Sequence, residues 1–181
     1  MSSLVVIPAT ILVVFSAVSA EAGERSSPVR SLLEMRQEGV VVQRWDISCG
    51  AAALATVLTY RFNDPVSEKA LAESMLRRTD PLRVKVRGGF SLLDLKRAAL
   101  MRGYNAAGYR QLRLENLVRL EGAIVPIQIH GYNHFVVFQG IRDGRRVMLA
   151  DPAFGNRTMA VKAFMKSWLD GLAFVVTDHR Q

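Results

Sequence analysis

The 181-residue chain holds one cysteine, Cys49, and three histidines, and the neighbours of each decide what it can do. Cys49 opens Cys-Gly-Ala-Ala-Ala-Leu-Ala-Thr-Val-Leu-Thr-Tyr, where alanine dominates and Leu54, Val57 and Leu58 share a face. This reads as a helix starting at the cysteine, with Ser48 as its expected N-cap. A helix leaves its first N–H groups without intrahelical acceptors and ends in a positive dipole there, which favours a thiolate, the nucleophilic form of the sulfur. The same amides can stabilise an oxyanion. Gly50 is expected to leave room for a substrate backbone beside the sulfur. The competing reading is burial, because free cysteine behaves as a small hydrophobe. A base within reach would decide for reactivity.

His179 lies in the polar tail and reads as solvated, and His130, before Gly131-Tyr132-Asn133, reads as a loop residue. His134 heads His-Phe-Val-Val-Phe, an apolar strand with a polar first residue. Such a histidine is structural by default, but its downstream partner changes the balance. Asp143-Gly144 is a two-residue hairpin signal. If it closes the hairpin, Arg142 pairs with Arg145, and counting back sets Val136 opposite Asp151. Side chains alternate along a strand, so His134 shares a face with Val136 and becomes the diagonal neighbour of Asp151, within side-chain reach. Asp151-Pro152 equally reads as the start of a turn, and the two roles are compatible. Gln43 stands six residues before the cysteine, where its amide could donate to an oxyanion beside the Cys49 N–H. A surface position is the default for such a residue, and Asp46 reads as a loop or capping residue.

The elements that must position these groups follow from capping and periodicity. Ser31 and Glu34 form a capping box for a short helix that Gly39 stops, followed by extended Val40-Val41-Val42. Asp64-Pro65 is expected to open a second helix running to about Arg78, which Asp80-Pro81 breaks. Ser91 with Asp94 opens a third helix, ending at Gly103. Expected strands occupy 104–110, 123–129, 134–141, 145–151 and 172–177, with short helices near 114–120 and 161–169. Helices first and a largely antiparallel sheet after is an α+β arrangement.

Length and composition bound the rest. Half the residues are hydrophobic, enough for one compact core. Residues 1–20 carry no charged side chain, and the apolar stretch from Leu4 ends at Val18-Ser19-Ala20, so they read as a signal peptide cut after Ala20. An uncleaved anchor is the alternative. Residues 21–42 read as a linker and N-terminal segment, and 43–181 as the folded domain. The net charge of +8 is scattered rather than clustered with aromatics, which disfavours a nucleic-acid groove. It suits acidic substrates, or transient contact with a membrane surface or secretion complex. One cysteine and three histidines do not build a convincing zinc site, and no cofactor is called for.

Gln43-Arg-Trp-Asp-Ile-Ser-Cys49-Gly-Ala-Ala, His134-Phe-Val-Val and Asp151-Pro152 together resemble the bacteriocin-processing, double-glycine peptidase family, which is papain-like. The resemblance spans about Gln43 to Thr177. It implies a papain-like cysteine peptidase fold with Cys49 as nucleophile, His134 as base, Asp151 as orienter and Gln43 in the oxyanion hole. Many members are the first domain of a peptide-exporting transporter, whereas this chain has no transporter membrane bundle and no G-x-x-x-x-G-K phosphate loop. The stretches 88–96 and 134–157 look more like the stand-alone, signal-bearing branch, similar to periplasmic accessory peptidases of secretion systems, including functional-amyloid export. The implied function is an exported endopeptidase acting on a secretion-system peptide or protein, at a Gly-Gly-type site. A thiol amidase or transpeptidase with the same triad, or a peptide-binding module without turnover, are the rivals.

Overall fold

The computed structural model describes residues 30–178. Residues 1–20, read as a signal peptide, residues 21–29 and His179 lie outside the described residues. Helices come first: α1 Leu32–Gln37, α2 Cys49–Thr56 continued by a π-helical turn Val57–Arg61, α3 Glu68–Leu76, α4 Pro81–Arg87 and α5 Leu92–Met101. The strands β1 Tyr104–Tyr109, β2 Ile124–Ile129, β3 Tyr132–Arg142, β4 Arg146–Asp151, β5 Gly155–Ala160 and β6 Ala173–Asp178 follow, with α6 Leu114–Val118 and α7 Val161–Ser167 between them. All pairings are antiparallel, in the order β1-β6-β2-β3-β4-β5. The expected α+β class is what the chain adopts.

Each sheet face carries its own core, because alternate residues of a strand point to opposite faces. Val137 and Ala150 pack with the helical side, among Leu54, Leu58, Met75 and Leu95. Val136, Phe138, Val147 and Leu149 face the other way, onto Phe164 and Trp168. Fully burying a leucine-sized side chain contributes about 1.5–3 kcal/mol, so both layers fasten the central hairpin.

Capping places the helices. The boxes at Ser31/Glu34 and Ser91/Asp94 form as expected. The Asp64-Pro65 start does not. The Asp64 carboxylate instead accepts hydrogen bonds from Arg102 Nε (3.1 Å) and Tyr104 Oη (3.1 Å). The helix waits for Ser67, whose hydroxyl accepts from the Ala70 N–H at 3.2 Å. Asp80-Pro81, read as a breaker, is itself a start: Asp80 caps α4 and Pro81 occupies its first turn. Strand β5 was missed by the sequence reading, as Asn156-Arg157-Thr158 carries little apolar signal.

The β3–β4 hairpin corrects the predicted register and preserves its consequence. Asp143 (φ 53°) and Gly144 (φ 62°) form the turn, and Arg142 pairs with Arg146 rather than Arg145. A β-bulge between Phe138 and Gly140 then restores one residue, so Val137 pairs with Ala150. One step further along the ladder, Val136 falls opposite Asp151 as counted from the sequence.

Residues before the cysteine join the domain. The Val41 N–H donates to Thr56 Oγ1 (3.0 Å), and Asn156 Nδ2 to the Glu38 carbonyl (2.6 Å). Gly155 is required where α1 meets β5: its φ is +74°, and an added Cβ would lie 2.6 Å from the Arg36 carbonyl oxygen.

Candidate active site

Helix α2 starts at Cys49, as the sequence suggests, but Ser48 does not cap it with its side chain. The Ser48 hydroxyl lies between the Trp45 carbonyl (2.7 Å) and the Glu68 carboxylate, and Glu68 Oε1 also accepts from the Arg44 N–H at 2.9 Å. The turn before the helix is thus tied to α3 by a buried carboxylate, while Cys49 sits among first-turn N–H groups. Cys49 is 6% exposed, so burial and access to a cleft hold together.

Gly50 faces inward. An added Cβ would meet Leu95 Cδ1 at 3.0 Å and Phe135 Cδ2 at 3.3 Å. Its small size allows α2 to approach α5 and β3 closely, in place of the expected room for substrate. Phe135 adjoins His134, so this packing sets the start of α2 against the start of β3.

His134 stands at the point of convergence. Its Nε2 lies 2.6 Å from Asp151 Oδ1, which leaves Nδ1 as the ring nitrogen available to Cys49. Burial opposes a charged imidazole, yet the hydrogen bonds to Asp151 and Cys49 and the charge of both outweigh it and push the His134 pKa up to about 9. Asp151 is 0% exposed. Burial would raise its pKa, but the bonds and charge of His134, the Ala153 N–H and Arg157 together hold it below the ordinary aspartate value. Ala153 N donates to Oδ1 at 2.9 Å and Arg157 Nε to Oδ2 at 2.6 Å. Asp151 is therefore both turn-maker and histidine partner. Arg157 escaped the sequence reading because its strand did. The available signal was its diagonal position across the β4–β5 turn.

Gln43 is linked to this group indirectly. Its Nε2 donates to the Trp45 carbonyl at 3.2 Å, the same oxygen that receives the Ser48 N–H (3.3 Å) and hydroxyl. The Gln43 N–H donates to the Pro152 carbonyl at 2.8 Å, joining the segment before Cys49 to the turn after Asp151. An amide nitrogen carries two hydrogens, so one remains for another acceptor.

Cys49 and His134 line a cleft of about 520 Å³. The β2–β3 turn at His130 and Gly131 overhangs one side, and Phe154 and Ala153 form another. Both turn residues have positive φ, so His130 is the loop residue expected. Arg87 and Asp46 bring opposite charges to the rim. Arg87 pairs with Asp94 at 3.3 Å, fixing the rim to α5. Among the described residues no group of His, Cys, Asp and Glu could hold a metal ion, and no helix is long and apolar enough to cross a membrane.

Known proteins are similar to this chain in sequence and in fold. A curated relative from Pseudomonas aeruginosa, named "Probable functional amyloid protease FapD", is 42% identical over 82% of this chain. Its counterpart in Pseudomonas fluorescens is 36% identical over the same share. The chain spans 64% of the length of either relative. A crystal structure of a double glycine motif protease from an AMS/PCAT transporter, in complex with the leader peptide, matches 77% of this chain and 90% of its own. That match has a TM-score of 0.63 and 28% identity. The peptidase domain of Streptococcus ComA gives the same TM-score at 22% identity, covering 77% of this chain and 98% of its own, and speaks for the fold. The sequence profile of the Peptidase C39 family matches residues 37–181, and the chain belongs to that family.

Proposed function

We propose that the protein is an exported cysteine endopeptidase, accessory to a secretion system, that cleaves a peptide or protein substrate after small residues of the Gly-Gly type. The observation that carries this reading is His134 held between Cys49 and Asp151. Such a set makes a thiolate–imidazolium pair available in a cleft. Cys49 Sγ attacks the scissile carbonyl, and the oxyanion forms beside the first-turn amide of Cys49 and the free hydrogen of the Gln43 amide. The His134 imidazolium gives its Nδ1 proton to the leaving amine. Neutral His134 then takes a proton from water, the hydroxide resolves the thioester, and the thiolate–imidazolium pair is restored. Asp151 holds the ring through Nε2 throughout.

The substrate class is supported by the relatives: one was solved with a leader peptide, and two are named as functional-amyloid proteases. Export and a periplasmic site of action rest on residues 1–20, with 43–181 as the peptidase domain, and suit a substrate met during secretion. The test is incubation of the mature protein with peptides bearing Gly-Gly, Gly-Ala or Val-Val at one position, read by mass spectrometry, with Cys49→Ala as control. Cleavage after the small pair alone, lost in the control, is the expected result. Binding without cleavage would leave a peptide-binding module. Acyl transfer to added amines would favour the transpeptidase reading.

A further inference from the structure

Asp151 receives partners from both neighbouring strands by the same geometric rule. On β3, continuing the ladder one step past the Val137–Ala150 pair sets Val136 opposite Asp151, with His134 as the diagonal neighbour. On β5, Gly155 pairs with Asp151, and Arg157 is the diagonal neighbour. Period-two alternation puts all three side chains on one face. The two carboxylate oxygens are divided accordingly. Oδ1 takes His134 and the Ala153 N–H, and Oδ2 takes Arg157 Nε at 2.6 Å. Arg157 is itself confined. Its guanidinium lies 5.5 Å from the centre of the Phe154 ring, and its Nη2 is buried. Phe154 also lines the cleft, so the same aromatic residue meets the cation and borders the space beside Cys49 and His134.

We propose that Arg157 is a positioning residue for His134, acting through Asp151. A carboxylate with no exposed surface must have both oxygens satisfied or it turns toward whatever donors remain. With Oδ2 fixed by Arg157, rotation about the terminal side-chain bond is blocked and Oδ1 stays aimed at Nε2. Without Arg157, Oδ2 is left buried and unpaired, and the carboxylate swings. The imidazole then loses the bond that holds its ring and keeps it protonated. A guanidinium suits this task because its planar fork presents N–H groups in fixed directions.

The inference rests on the peptidase reading for its purpose, and its test does not require cleavage. The titratable and charged groups around the His134 ring are Cys49 from α2, Asp151 from β4, Arg157 behind it on β5, Tyr132 from β3, and Asp46, Arg87 and His130 around the cleft. The His134 ring is titrated by nitrogen-15 NMR in the full mature protein and in Arg157→Met and Arg157→Lys. The iodoacetamide alkylation rate of Cys49 at pH 7 and a thermal melt are taken alongside. In the parent the midpoint is expected near the raised value, with a downfield, slowly exchanging Nε2 proton. In Arg157→Met the midpoint moves at least one unit toward 6.5 and the Nε2 proton broadens away. Alkylation slows by at most about tenfold, the factor by which one pKa unit of His134 shifts proton exchange with the thiol. Arg157→Lys restores part of the shift.

A folded Arg157→Met with unchanged midpoint and alkylation rate overturns the proposal. So does a midpoint that rises, because removing a cation without disturbing geometry acts in that direction. If Arg157→Met does not fold, Arg157→Lys decides: an intermediate midpoint supports positioning and an unchanged one refutes it. Loss of peptide cleavage in the parent, with these shifts intact, would instead count against the proposed function.

Discussion

The two halves of the site are held by different physics. On the sheet side, one buried carboxylate receives three donors, two from flanking strands and one from its own turn. Cross-strand register sets those positions. On the helix side, Cys49 is located by close packing: Ala51, Ala52, Ala53 and Leu54 are all 0% exposed, and Gly50 abuts Leu95 and Phe135. Its polar ties, Trp45 and Glu68, hold the turn before the helix rather than the sulfur. The half that must sustain a positive charge is over-determined by charge-assisted bonds. The half that must deliver an atom is over-determined by shape.

Single substitutions on the two sides should therefore fail differently. Cys49→Ala removes a small side chain and is expected to abolish cleavage while the melting temperature stays within a few degrees. Asp151→Asn should harm both properties. It puts a neutral amide among three donors and leaves Arg157 without its counter-charge. Cleavage is expected to fall by about 10²- to 10⁴-fold, the range for losing the residue that orients a catalytic histidine. The melting temperature should fall with it, because an uncompensated charge stays partly buried. Matched kinetics and thermal melts on both variants check this. Equal melting losses would mean that the thiol also carries structure.

The sheet side was legible in the sequence for a reason that contains an accident. The predicted two-residue hairpin has its turn where expected, but the true pairing is shifted by one at Arg142 and Arg146. The bulge near Gly140 shifts it back, so the His134–Asp151 contact survives two opposite errors. Composition carries no sign of a bulge beyond that glycine. Arg157 stayed hidden because β5 is a short polar edge strand, and Asp64 misled because its carboxylate went to Arg102 and Tyr104 across the fold. Local capping signals are right where the side chain has no better distant partner, as at Ser31 and Ser91. Ser48 fails by the same rule, since Trp45 and Glu68 engage its hydroxyl.

The next largest effect is on stability against pH, and it belongs to the sheet side. The folded-state pKa of His134 is raised from 6.5 to about 9, so its contribution is fully present below pH 6.5 and fades as pH climbs through 9. Its upper size is of order 3 kcal/mol. Asp151 is shifted the other way, so its contribution is present above the ordinary aspartate pKa of 3.8 and lost as pH falls through the lower folded value. Urea unfolding from pH 5 to 10 should show the gap between the parent and His134→Gln shrinking between pH 6.5 and 9. A constant gap would mean that His134 stabilises by packing, and the contrast between the halves would be lost.

The smallest effect probes the helix side. Gly50 has no positive φ, so a larger residue there meets no backbone strain, and a helix would even favour it. Crowding opposes this gain, with Leu95 and Phe135 already within 3.3 Å of an added Cβ. Gly50→Ala should be nearly neutral as the two effects offset. Gly50→Val brings two more carbons into the same space and is expected to cost about 1–3 kcal/mol. Because the residue faces the core, KM for a cleaved peptide should be retained while kcat falls as the start of α2 shifts away from β3. If Gly50→Val instead raises KM and leaves the urea midpoint unchanged, the glycine borders substrate, and shape on this side serves binding rather than the placement of Cys49.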